Sequence, residues 1–269
     1  MSERLRKAVT KEKLFIPFIT AGDPTIEATI ELALSLERAG ADVIELGIPY
    51  SDPLADGQVI QAASKRALTA GMTFAKALEL VSKLRERGLN APVILFTYAN
   101  PLLQYGFTQF VNEASAFGVD GILVPDLPFE ESEEFGDICA KEDLALISLV
   151  APTSKERVEK IASSAKGFLY CVSSLGVTGT RNELHPDLKQ FLQVVKISAS
   201  IPCVVGFGVS QADQVEEINR YADGVVVGSA IVKQIGSLTN ELIQPESRSA
   251  AVAKVEAFVK QLHQPVASG

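Results

Sequence analysis

Short apolar runs alternate with longer amphipathic stretches from one end of the chain to the other. A strand buried on both faces reads as a continuous apolar run, whereas a helix packed on one side repeats its apolar residues about every 3.6 positions. The alternation therefore predicts βα units and a parallel sheet. Expected strands are Leu14–Thr20, Val43–Leu46, Val93–Tyr98, Gly121–Val124, Ala145–Val150, Phe168–Val172, Cys203–Val205 and Gly224–Val227. Eight is the number at which such a sheet closes with its interior filled by side chains. The expected fold is α/β, a (β/α)8 TIM barrel with extra helices, and 269 residues fit one such domain over residues 1–269.

Helices are expected at Thr25–Ala39, Thr73–Arg87, Thr108–Phe117, Glu130–Lys141, Ser154–Ser164, Pro186–Ser198 and Gln211–Arg220, with extra helical material at Val59–Ala70 and Ser247–Leu262. Thr25 and Ser154 are placed to cap helix starts, and Gly40, Gly88 and Gly118 to end helices. One phrase recurs: Gly40-Ala-Asp42, Gly118-Val-Asp120 and Tyr221-Ala-Asp223 each stand just before an apolar strand. The reading is that the glycine ends a helix and the aspartate caps a tight αβ turn, which on the amino-terminal face of a barrel serves stability.

Composition narrows the function. A formal net charge of -8, with no basic stripe, argues against nucleic-acid binding, which needs clustered Lys and Arg. Cys139, Cys171 and Cys203 are widely spaced and unpaired in pattern, as in a reducing cytosol. The charged start Met1-Ser-Glu-Arg-Leu-Arg-Lys7 leads into no apolar signal region, and no run approaches the ~18 residues of a membrane span, so a cytoplasmic protein is expected. His185 and His263, the two histidines, have no neighbours at metal-ligand spacing, so no metal site is expected. No lysine lies within a strand run, which leaves a Schiff-base aldolase without its nucleophile.

The residues that follow the strands carry the chemistry in such a barrel. Glu45 stands among Val43, Ile44, Leu46 and Ile48, where a lone carboxylate loses several kcal/mol of solvation unless it is paired, protonated or used. Asp56 follows on the next loop, and two carboxylates in unlike settings can titrate apart, as a paired acid and base must. Late in the chain, Gly176-Val-Thr-Gly179, Gly206-Phe207-Gly208 and Gly228-Ser229 form a set whose backbone N–H groups, with a helix amino terminus after the last strand, could cradle a phosphate. Proton transfer on a phosphorylated small molecule is the resulting expectation.

The stretch Glu45-Leu-Gly-Ile-Pro-Tyr-Ser-Asp-Pro-Leu-Ala-Asp-Gly57 resembles the signature of the tryptophan synthase alpha subunit family, and Pro17–Pro24, Tyr98–Pro101, Gly176–Gly179 and Gly206–Gly208 support the resemblance, which runs collinearly over residues 1–265. It implies retro-aldol cleavage of indole-3-glycerol phosphate to indole and glyceraldehyde 3-phosphate. It implies Glu45 as proton shuttle, Asp56 on the indole N–H, and Phe18, Tyr98, Leu123 and Tyr170 around the indole. Thr178 would belong to a lid, Gly179, Gly206, Gly208, Gly228 and Ser229 to the phosphate site, and Phe207 to the residues that bind the substrate. It further implies no cofactor in this chain and a beta subunit partner, in an alpha2-beta2 complex, that carries pyridoxal phosphate. Tyr50, Gln58 and Ser174 depart from the family's usual Phe, Pro and Arg. Another phosphate-binding barrel, such as a phosphoribosyl isomerase or an indole glycerol phosphate synthase, and a catalytically idle regulatory subunit are the competing readings.

Overall fold

A computed structural model describes residues 1–172, 186–206 and 208–263. The strands are β1 (Leu14–Thr20), β2 (Ile44–Gly47), β3 (Val93–Phe96), β4 (Gly121–Leu123), β5 (Ala145–Ile147), β6 (Leu149–Val150), β7 (Leu169–Val172), β8 (Cys203–Gly206) and β9 (Gly224–Val227). Every pairing is parallel, in the order β5-β4-β3-β2-β1-β9-β8-β7-β6. The two ends of that row, β5 and β6, are joined in the chain through Ser148, so the row closes into a barrel.

This corrects the expected fifth strand, which is two pieces. Ile147 is the last residue paired to β4, opposite Leu123, whereas Leu149 and Val150 pair only with β7. The carbonyl of Ser148 already accepts the Tyr170 N–H at 3.0 Å, so the chain changes neighbours at that residue. Beyond Leu123 and Ile147 the wall between β4 and β6 has no ladder among the described residues.

Helices pack around the ring where the apolar spacing places them. Ile26–Arg38 starts with the Thr25 hydroxyl accepting from Ala28 N–H, and Lys155–Ser164 with Ser154 accepting from Arg157 N–H. Gly40, Gly88 and Gly118, at φ of 103°, 92° and 83°, turn the chain out of three helices in the left-handed region that glycine enters freely. The expected helix at 130–141 is a 3-10 turn, Phe129–Glu131, followed by Glu133–Lys141. Ser229–Ser237 supplies the helix expected after the last strand, while Glu3–Ala8, Ala99–Tyr105 and Thr239–Ile243 lie outside the expected set. The first of these floors the barrel: Leu5 and Ala8 join the interior cluster with Leu14, Ile16, Val43 and Ile94.

The recurring aspartates act sideways rather than within their own turns. Asp42 donates its N–H to the Phe15 carbonyl at 2.9 Å, and its carboxylate accepts the Phe15 N–H at 3.0 Å. Asp120 does the same to Val93 at 3.0 and 2.8 Å, and Asp223 to Cys203 at 2.8 and 2.9 Å. Each carboxylate ties the start of one strand to the start of its neighbour. Asp120 is fully buried and also accepts from Ser2, Arg4 and Arg85, so it latches the floor helix to the barrel. Removing one partner from a buried ion pair costs about 3–5 kcal/mol, because Arg85 would be left without its carboxylate. Asp120→Ala should lose that much in a urea titration, and a loss below ~1 kcal/mol would contradict the clamp.

Candidate active site

Side chains on a strand alternate between faces, so the barrel interior is built in layers two residues apart. Above the interior cluster, Ile16 is followed two positions on by Phe18, Val43 by Glu45, Ile94 by Phe96, Phe168 by Tyr170, Val204 by Gly206 and Val226 by Gly228. All six of these upper residues line one cavity of about 480 Å3 at the carboxy-terminal ends of the strands. The alternation that fills the barrel also delivers the chemistry.

Glu45 is 3% exposed and faces no cation among the described residues. Loss of solvation, with a smaller contribution from the nearby Asp56 charge, pushes its carboxyl up to about 8. At neutral pH it is therefore a protonated acid held on a rigid strand.

Asp56 reaches the same cavity from the loop after β2. Burial raises its carboxyl, opposed by a hydrogen bond from Tyr98. The Tyr98 hydroxyl also accepts the Ala55 N–H at 3.2 Å, so one buried phenol fixes two consecutive loop residues. Tyr98 stands in a run of rings: Phe18 lies 5.8 Å from Phe96, Phe96 5.8 Å from Tyr98, and Tyr98 5.6 Å from Tyr50. The run leads from the cavity floor to the loop that carries Asp56.

At the other side, Gly206, Gly208, Gly228 and Ser229 border the cavity. Gly206 has no substitute: a Cβ there would overlap the Tyr170 hydroxyl, so the ring can lie against the β8 backbone only because glycine is present. Helix Ser229–Ser237 begins at this edge and points its amino terminus, with its unpaired N–H groups, at the cavity. Backbone amides and a helix dipole suit an anion.

Of the expected site residues, Glu45, Asp56, Phe18, Tyr170, Gly206, Gly208, Gly228 and Ser229 are brought together. Tyr98 does not line the cavity but holds the Asp56 loop from behind. Leu123 lies one layer lower, in the interior cluster, and Pro125, two residues on, lines the cavity instead. Thr178, Gly179 and Phe207, and the departure at Ser174, lie outside the described residues. Phe96 and Leu149 also border the cavity, two residues beyond the interior residues Ile94 and Ile147; the two-residue step marks them as inward-facing but not as lying at cavity height. Ile60 comes from helix Gln58–Thr69, and nothing in its local sequence marks it. Among the described residues no group of three or more His, Cys, Asp or Glu could hold a metal, and no helix is long and apolar enough to cross a membrane.

Fold and site together are those of a (β/α)8-barrel enzyme, with two buried carboxyls at one end of its cavity and backbone amides suited to an anion at the other. Residues 5–266 match the family model described as tryptophan synthase alpha chain. The chain is similar to the tryptophan synthase alpha chains of Shouchella clausii, at 64% identity over 98% of both chains, and of Halalkalibacterium halodurans, at 64% over 96% of this chain and 98% of that one. It is also similar to a chain in the solved tryptophan synthase a2b2 complex of Pyrococcus furiosus, at 39% identity and a TM-score of 0.84, covering 94% of this chain and 98% of that one. The chain belongs to the tryptophan synthase alpha chain family.

The burial of Glu45 makes stability depend on pH. Its folded-state carboxyl sits near 8 and its unfolded one near 4.5, so the folded state binds the extra proton between those values and stability from this group falls as pH rises through that window. Glu45→Gln removes the burden. Thermal unfolding should show the variant gaining on the wild type from pH 5 to pH 8.5, and a constant difference would mean that Glu45 is not desolvated.

Proposed function

We propose that Glu45 and Asp56 carry out on this chain the family's reaction, retro-aldol cleavage of indole-3-glycerol phosphate to indole and glyceraldehyde 3-phosphate. The observation that carries the assignment is a buried Glu45, its carboxyl raised by lost solvation, beside Asp56 at one end of a cavity whose other end is lined by glycines and a helix amino terminus. Glu45 gives its proton to the ring carbon that bears the glycerol chain. Positive charge then builds on the ring nitrogen, whose N–H is held by the Asp56 carboxylate. Glu45, now a carboxylate, takes the proton from the hydroxyl on the adjoining chain carbon. That oxygen's electrons form the aldehyde, the carbon–carbon bond breaks, and its electron pair restores the aromatic ring. Protons and electrons balance without a cofactor.

Gly206, Gly208, Gly228 and Ser229 hold the phosphate, and Phe18, Phe96 and Tyr170 enclose the ring. Thr178 and Gly179 take their lid and phosphate roles, and Phe207 its place among the substrate-binding residues, from the family resemblance alone. The whole chain works as one domain in the cytoplasm. Its product indole passes to a beta subunit, which holds the pyridoxal phosphate of the complex, in an alpha2-beta2 assembly like that named for the Pyrococcus furiosus relative. Leu54 and Leu103 are 79% and 62% exposed on adjacent elements that the Asn100 Nδ2 to Tyr50 Oη hydrogen bond of 2.8 Å ties together. These exposed leucines, of which Leu54 adjoins the cavity-lining Ala55 and Asp56, are where the partner docks.

An indole-release assay with and without a beta subunit tests the reading directly. Glu45→Gln and Asp56→Asn should each lower kcat by roughly 100-fold or more while circular dichroism stays unchanged. Because the first step needs Glu45 protonated, kcat/KM of the wild type should fall as pH rises through about 8. Wild-type-like turnover in both variants would remove the assignment.

A further inference from the structure

The cavity does not stop at the barrel wall. Strand residues alternate between interior and helix side, yet this cavity is bordered by both sets from one segment: Ile147 and Leu149 belong to the interior, while Leu146 and Val150 pack with the helix-side core. It therefore wraps the split segment β5–β6, and the break in the ladder explains how. Past the Leu123–Ile147 pair, no backbone hydrogen bonds join the end of β4 to Leu149–Val150 among the described residues. Val124, Pro125 and Leu127 border the resulting slot on one side and Ser148 on the other.

Outside the slot, the cavity continues as an apolar lobe between the Phe129–Glu131 turn and helix Lys155–Ser164, bordered by Phe129, Ser132 and Ile161. Arg157 stands at its edge, but its guanidinium is already forked onto Glu130 at 2.6 and 3.1 Å. The lobe thus offers an apolar surface and no free charge among those residues. Its position is defined relative to the substrate. In the closed ring, β3 and β4 stand across from β8 and β9, so a substrate whose phosphate lies at Gly206 and Gly228 directs its ring toward β3 and β4, with the slot along the outer edge of β4.

We propose that this chain cleaves indole-3-glycerol phosphates carrying a small apolar substituent on the outer edge of the benzo ring, with the substituent passing through the slot into the outer lobe. The inference rests on the reading of the site as an indole-3-glycerol phosphate lyase. A closed apolar pocket discriminates against one extra methyl-sized group by roughly 10- to 200-fold; an open slot removes that discrimination. The chemistry is unchanged, since the substituent lies away from both the protonated carbon and the breaking bond.

The test uses the full chain with its beta partner and follows glyceraldehyde 3-phosphate, a product common to every substrate. The parent compound is compared with analogues bearing methyl or chloro at ring carbon 5 or 6. At least one substituted position should keep kcat/KM within about tenfold of the parent, below the discrimination of a closed pocket. Ser132→Phe, which narrows the outer lobe without touching the reacting end, should lower that analogue's kcat/KM by about tenfold or more while leaving the parent unaffected; Thr153→Phe, on the exposed rim, provides the same narrowing should Ser132→Phe not fold. Rejection of both positions by the wild type, with the parent still cleaved, would overturn the slot. So would equal turnover of parent and analogue in a folded narrowed variant. Failure to cleave the parent would instead overturn the lyase reading, and the inference with it.

Discussion

Closure of the strand ring is the constraint on which the rest depends. Once parallel strands close, every second side chain must face inward, and the interior must be filled layer by layer. Here Leu5 and Ala8 stop the floor, aliphatic residues fill the middle, and the upper layer mixes Phe18, Glu45, Phe96 and Tyr170 with Gly206 and Gly228. The glycines leave space where the other strands supply bulk. A cavity with an acid at one side and exposed amides at the other follows from which residues occupy a single layer.

The ring also divides stability from chemistry along its axis. At the amino-terminal ends, Asp42, Asp120 and Asp223 bind neighbouring strand starts through paired hydrogen bonds. At the carboxy-terminal ends Glu45 has no such partner among the described residues and is raised to about 8 by its surroundings. A buried carboxylate with donors is held charged and structural, whereas one deprived of them keeps its proton to higher pH. The same residue class is put to opposite uses by the number of N–H groups within reach. The rigid end holds the strands on which the reactive end is built.

Much of this was legible in the sequence, and for identifiable reasons. Leu14–Thr20 and Gly224–Val227 were readable to the residue because an apolar run bounded by charge or glycine has sharp edges. Thr25 and Ser154 marked helix starts because a hydroxyl before an apolar face satisfies orphan N–H groups. Glu45 stood out as a charge in an apolar strand. The split at Ser148 was not legible, since Ala145–Val150 reads as one continuous run, and its two halves differ only in which neighbour they bond. Leu123 likewise fits an apolar wall as well as its lower layer, because sequence gives a strand's facing but not its height in the barrel.

The sequence by itself determined the βα order, the eight wall positions of the ring, the isolated carboxylate and the glycine loops, because periodicity and solvation act locally along the chain. Only the tertiary structure decided that the three aspartates clamp neighbouring strands, that Tyr98 secures Asp56 from behind instead of lining the cavity, and that the wall opens beside β6. Those features depend on contacts between segments distant in the chain, such as Asp120 with Val93 or Tyr170 with Ser148, and on the stagger that sets each residue's height. Distances across a closed ring are fixed by its geometry, and no local pattern encodes them.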